Sequence, residues 1–162
     1  MNINIRGRLF DLSKPKVMGI LNLTPDSFYD GGVHNEINKI EDHVNKMVND
    51  GMDILDIGGY SSKPGAKNIS VDEELSRVIP ILKHIRKIFP ELVISIDTFR
   101  SKIASASLNE GADIINDISG GTLDKNMMSI VAKNNCPYIL MHMQGNPQNM
   151  QNDPSYENVT LE

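Results

Sequence analysis

Apolar positions along the chain follow two rhythms. From Met1 to Leu12 polar residues separate Ile3, Ile5, Leu9 and Phe10 around Arg6-Gly7-Arg8, which predicts a short β-hairpin turning near Gly7. Val17 to Leu21 is a continuous apolar run, the pattern of a strand buried on both faces of a parallel sheet. Ile37, Ile40, Val44, Met47 and Val48 then recur at three- and four-residue spacing and predict an amphipathic helix over 36–50, with Gly51 as its left-handed cap. A second buried strand, Ile54 to Ile57, carries Asp56 and opens into a loop from Gly58 to Ala66. Ser70 and Glu73 form a capping box ahead of a helix striped by Leu75, Val78, Ile79, Leu82, Ile85 and Phe89, in which Pro80 is expected to introduce a kink. Val93 to Ile96, Ile114 to Ile118 and Tyr138 to Met141 read as three further strands. Between them lie a short helix over 102–110, ended by Gly111, and another through about Asn134 that Asp124 is expected to cap.

Strands alternating with helices imply parallel strands joined by crossovers, in either a (β/α) barrel or an open doubly wound sheet. Periodicity does not separate the two. The nucleotide-binding versions of the open sheet lose ground, because no Gly-x-Gly-x-x-Gly follows a strand and no phosphate-binding Gly-x-x-x-x-Gly-Lys-Ser/Thr is present. An internal echo links Gly51-Met-Asp-Ile-Leu-Asp-Ile-Gly-Gly with Gly111-Ala-Asp-Ile-Ile-Asn-Asp-Ile-Ser-Gly-Gly. Each is a cap glycine, a buried strand, a polar tip and a glycine loop.

Composition narrows the function classes. A formal charge of −5 offers no basic face for nucleic acid or anionic lipid. The single cysteine, Cys136, forms no internal disulfide, and no apolar run reaches the eighteen or so residues of a membrane span, so the expectation is a cytoplasmic protein. The 162 residues fit one domain over 1–162, yet fall short of the ~250 of a complete barrel.

Candidate chemistry gathers at the carboxyl ends of the strands. Asn22, Asp56, Asp97, Asn116 with Asp117, and Met141 with His142 are expected to face one mouth. An ionised Asp accepts two parallel N–H bonds and Asn offers one donor and one acceptor, so this set suits a ligand with a donor-rich edge, such as a pteridine. Past the first strand, Thr24, Asp26, Ser27 and Asp30 concentrate hydroxyls and carboxylates. The second loop, with Ser61, Ser62, Lys63 and Gly65, has the hydroxyls, backbone N–H groups and cation to hold a phosphate.

The run from Val17 through Asn22, Thr24-Pro25-Asp26-Ser27-Phe28 and Asp30 to Gly32 resembles the opening signature of the dihydropteroate synthases. Further along, Asp56-Ile-Gly-Gly-Tyr-Ser-Ser-Lys-Pro-Gly-Ala, Ile96-Asp-Thr, Asn116-Asp-Ile-Ser-Gly-Gly and His142-Met-Gln-Gly-Asn-Pro-Gln-Asn-Met-Gln are similar to later motifs of that family. The resemblance implies a TIM (β/α)8-barrel transferase, here about its first five βα units preceded by the hairpin. Its implied reaction joins 6-hydroxymethyl-7,8-dihydropterin diphosphate to 4-aminobenzoate in folate synthesis with Mg2+, and it implies a sulfonamide target. By position it assigns Asn22 to the metal, Asp97 and Asn116 to the pterin, Asp56 and Met141 to the pterin slot, and Ser62 to a substrate-contacting loop. Asp30 and Asp26 would steady the cationic centre, while Phe28, Pro64 and Ser62 would shape the aminobenzoate pocket. It further implies a homodimer when the barrel is complete.

Two departures from that pattern stand out. Lys63 occupies a place where the family more commonly has Arg, and an ammonium lacks the bidentate fork of a guanidinium. The family's later pterin-binding Asp, its Lys in a Gly-rich segment and its terminal Arg-x-His have no counterpart before Glu162, so the expectation is a chain that does not turn over alone. The other readings are a noncatalytic pterin-binding or interaction fragment and a pterin-dependent methyltransferase barrel, which has no reason to keep Thr24 to Phe28 or Ser62 to Gly65.

Overall fold

The computed structural model describes residues 1–23, 33–61, 68–147 and 149–161, with 33–36 as backbone only. Asn2–Ile5 (β1) and Arg8–Asp11 (β2) form the expected antiparallel hairpin, paired from Asn2 with Asp11 to Ile5 with Arg8. Its two-residue turn places Arg6 and Gly7 at φ of 51° and 77°, the positive values that a tight turn between right-twisted strands requires.

Five parallel strands follow: Met18–Asn22 (β3), Ile54–Gly58 (β4), Val93–Asp97 (β5), Ile114–Asp117 (β6) and Tyr138–Leu140 (β7). They are joined by helices Val33–Asn49 (α1), Val71–Ile88 (α2), Ser101–Asn109 (α3) and Met127–Asn134 (α4). The strand order is β3-β4-β5-β6-β7, the order of the chain itself. A doubly wound sheet reverses its order at a switch point, whereas a barrel adds each strand beside the last. The order therefore separates two architectures that periodicity leaves open, and the chain is a five-unit arc of a barrel.

Alternate strand residues serve two cores. On the helix side Leu21, Leu55, Ile57, Ile94, Ile96 and Ile115 are buried against residues such as Val44, Val78, Leu82, Ile85, Ile103 and Met127. Each such side chain contributes about 1.5–3 kcal/mol on burial. On the opposite face Ile54, Val93 and Ile114 pack with Ile5 and, at its margin, Ile3, Phe10 and Met18. The hairpin thus forms a floor under the amino ends of the strands. Above that floor the inner face turns polar.

Several local expectations change in the structure. The run from Val17 to Leu21 predicts a strand buried on both faces, yet Ile20 is 62% exposed, because β3 is the edge of the sheet and no described element covers its inner side. Ser70 Oγ accepts the Glu73 N–H at 3.0 Å, but the return arm of the capping box is missing, since the Glu73 carboxylate pairs with Arg77 one turn on. Asp124 does not cap α4 with its side chain. Its Oδ2 accepts the Ser101 N–H at 2.7 Å, capping α3 from across the chain, while Oδ1 takes the Asn126 N–H at 3.0 Å. Slight burial opposes ionisation of Asp124, but these N–H groups outweigh it and hold its pKa below the usual value.

The internal echo has a structural meaning. Gly51 and Gly111 adopt φ of 97° and 95°, closing the preceding helices. Two residues later Asp53 and Asp113 each accept the N–H at the start of the previous strand, Val17 at 2.9 Å and Ile94 at 2.8 Å. The two differ in burial and in counterions. Lys16 meets the half-exposed Asp53 at 3.0 Å, while the fully buried Asp113 takes a hydrogen bond from Arg86 at 2.7 Å. Arg6 Nε also lies 2.8 Å from Asp113 Oδ1 as an ion contact, out of line for a hydrogen bond. Replacing Asp113 with Ala should cost about 3–5 kcal/mol by leaving the largely buried Arg86 guanidinium and the Ile94 N–H without their acceptor, against about 1–2 kcal/mol for Asp53→Ala. Urea denaturation measures both, and equal losses would contradict this ranking.

Candidate active site

Register builds the site. Asn22 pairs with Gly58, Gly58 with Asp97, and Asp97 with Asn116, so four residues from four strands form one row at the carboxyl edge. Residues in register share a face of the sheet, which brings Asn22, Asp97 and Asn116 together on the inner side. Gly58 is the gap in the row. A Cβ there would lie 3.4 Å from Asp97 Oδ2 and 3.5 Å from Asn22 Oδ1, so the two oxygens flank the space that its missing side chain leaves.

Two residues nearer the floor, Asp56 pairs with Ser95. The Asn116 amide donates to Asp56 Oδ2 at 3.0 Å, joining the tips of the two echoed segments across β5. Asp56 Oδ1 and Ser95 Oγ are buried, and neither meets a hydrogen-bond partner of proper geometry. Burial raises the Asp56 pKa, opposed by the nearby Ser95 hydroxyl and the Asn116 amide. Asp97 is pushed up to about 7, first by removal from water and then by the negative charges of Asp56, Glu74 and Asp117. The site therefore carries anions that repel one another and a buried oxygen awaiting a donor. It is chemically prepared for a ligand rich in N–H groups.

The other expected residues divide. Met141 stands just past β7 at the rim, 37% exposed, with its N–H donating to Asp117 O at 3.2 Å. Asp117 does not serve the mouth. Its Oδ1 accepts the Ser119 N–H and hydroxyl, each at 2.7 Å, and its Oδ2 accepts from Gly121 N–H at 3.0 Å and Tyr138 Oη at 2.7 Å, so it shapes the glycine loop. The His142 ring packs against Tyr156 at 5.3 Å. Asp26, Phe28, Asp30, Ser62, Lys63 and Pro64 lie outside the described residues. Among the described residues no three of His, Cys, Asp and Glu gather as a metal-binding group. Ser95 is the site residue that sequence reading misses, although a lone hydroxyl inside Val93 to Ile96 is its trace.

Comparison with known proteins bears on this row of acceptors. Residues 18–162 match the family described as pterin binding enzyme. The chain belongs to that family. It is 50% identical over 151 residues to the mitochondrial folate synthesis bifunctional protein of Arabidopsis thaliana, covering 91% of this chain and 27% of that protein. It is 46% identical over 162 residues to the dihydropteroate synthase of Escherichia coli K12, covering all of this chain and 57% of that enzyme. The Yersinia pestis dihydropteroate synthase, solved with a sulfonamide drug complex, superposes with a TM-score of 0.85 at 41% identity over 99% of this chain and 57% of its own. This pterin-binding family member thus spans little more than half the length of these bacterial relatives. No helix among its described residues is long and apolar enough to cross a membrane.

The pKa of Asp97 sets a pH dependence. A folded-state pKa near 7 against 3.8 unfolded means that the native state binds the extra proton, so this group makes stability fall as pH rises from about 4 to 7. Asp97→Asn should remove that dependence. The variant is expected to exceed the parent by roughly 1–3 kcal/mol at pH 8, less than the full shift because Asp97 is only partly buried, and to converge with it near pH 4. Denaturation curves across that range check it, and a constant difference would refute the assignment.

Proposed function

We propose that this chain forms the pterin-handling part of a dihydropteroate synthase. The reaction joins 6-hydroxymethyl-7,8-dihydropterin diphosphate to 4-aminobenzoate and releases 7,8-dihydropteroate and diphosphate. The observation that carries this reading is the crowded acceptor row, where Asn116 donates to Asp56 and Asp97 has no described hydrogen-bond partner. A pterin's donor-rich edge would donate N–H hydrogen bonds to the Asp97 carboxylate and to Asp56 Oδ1, offsetting the repulsion that the free site tolerates.

Catalysis then divides among the strand tips and loops. The methylene C–O bond to diphosphate breaks, the aminobenzoate nitrogen forms the new C–N bond, and that nitrogen loses a proton. Electron density from the pterin ring would stabilise positive charge at the methylene carbon, and the resemblance assigns Asp30 and Asp26 to steadying it. By resemblance, Ser62, Phe28 and Pro64 would shape the aminobenzoate side, and Lys63 would offer an anionic group a point charge rather than a fork. The chemistry at Asn22 fits Mg2+, since its carboxamide oxygen is a hard donor beside Asp97 and this ion commonly completes its shell with substrate phosphates and water. When bound, Mg2+ would neutralise the diphosphate leaving group. We place the protein in the cytoplasm, with small-molecule partners rather than nucleic acid or membrane, and with a homodimer as the form of the complete barrel.

Asp97→Ala should weaken pterin binding by about 1.5–3 kcal/mol for each charge-assisted bond lost. Asn22→Ala should raise the magnesium requirement while leaving affinity for a diphosphate-free pterin nearly intact. Calorimetry with pterin, with and without the diphosphate and magnesium, reads both. Unchanged affinity in Asp97→Ala would defeat the proposed reading, and binding without any product formation would favour a noncatalytic pterin-binding fragment.

A further inference from the structure

A polar cluster between the limb leaving β4 and the limb entering α2 lies outside the acceptor row. At its centre is Arg100, three residues after Asp97. One guanidinium nitrogen donates to Glu74 Oε2 at 2.7 Å and another to the Ile69 carbonyl at 2.7 Å. The guanidinium carbon sits 5.2 Å from the Tyr60 ring centroid and 5.3 Å from that of Phe99, and these rings meet edge to face at 5.1 Å. Tyr60 is on the limb leaving β4, and Ile69 is on the limb entering α2. The Tyr60 hydroxyl also donates to the Asn68 side-chain oxygen, closing the two limbs on each other.

The cluster connects to the strand tip as well. Glu74 is fully buried, and its second oxygen accepts the Thr98 hydroxyl at 2.8 Å, one residue after Asp97. Arg77 donates to the Gly59 carbonyl at 3.0 Å, and a Cβ at Gly59 would come within 2.6 Å of Val78 Cγ2. The loop base is therefore pressed directly onto α2. We propose that Arg100 is a positioning residue that ties Tyr60, on the limb leaving β4, to Ile69, on the limb entering α2, and holds both relative to Asp97, and so influences the aminobenzoate side of the site without touching the pterin. The functional half of this inference rests on the proposed synthase reading; the structural half does not.

A simpler role for Arg100 would be neutralising buried Glu74. Lysine separates the two roles, because it keeps the charge but lacks the planar fork needed to serve Glu74, the Ile69 carbonyl and two rings together. In Arg100→Lys, hydrogen exchange in a peptide spanning 59–70 should quicken by about tenfold or more, while peptides covering β4 and β5 keep their protection. Arg100→Met should do the same, and if loss of the Glu74 counterion prevents its folding, the lysine variant still decides. In an active enzyme, Arg100→Lys should raise the KM for 4-aminobenzoate about tenfold and leave that for the pterin substrate within about twofold. Exchange identical to the parent in Arg100→Lys, or exchange quickened equally across the sheet, would overturn the proposal. Absence of pterin binding in the parent would count against the synthase reading alone, since the exchange result stands apart from it.

Discussion

The parallel register of the strands is the constraint on which the site depends. Because Asn22, Gly58, Asp97 and Asn116 occupy one row, a shift of one residue in any strand would turn its tip toward the helices and take it out of the row. That register is held from below. Asp53 and Asp113 tie the amino end of one strand to the start of the previous one, and the hairpin covers the apolar floor. Stability is thus concentrated at one end of the strands and polar chemistry at the other, the division expected of a barrel enzyme.

The division has an electrostatic consequence. Asp56 and Asp97 share an inner face with buried Ser95, no ion pair reaches either carboxylate among the described residues, and Arg100, three residues after Asp97, is engaged with Glu74. Carboxylates left without a cation retain protons or repel each other, which is why burial and like charge lift Asp97 to about 7. A donor-rich ligand reverses this penalty. The free protein holds strain that binding relieves, a form of preorganisation toward N–H donors.

Much of this was legible in the chain. Apolar runs ending in Asn22, Asp56, Asp97 and Asn116 marked strands with polar tips, and Gly51 and Gly111 marked the helix ends, because these signals are local. What escaped depends on contacts between distant residues. Asn116 reaches Asp56, Arg100 reaches Glu74 and Ile69, and Asp124 caps a helix that precedes it, none of which follows from periodicity. The exposure of Ile20 likewise reflects strand order rather than its own apolar run. Strand order also separated the barrel arc from the open sheet, since the same alternation of strands and helices serves both.

Proton release on pterin binding tests most directly the claim that the acceptor row exists to receive N–H donors. Calorimetry at pH 6 in buffers of different ionisation enthalpy counts the protons exchanged. With Asp97 largely protonated when free and ionised when bound, about one proton should leave at pH 6 and almost none at pH 8, with the effect absent in Asp97→Asn. Tight pterin binding with no proton exchanged at pH 6 would contradict the account.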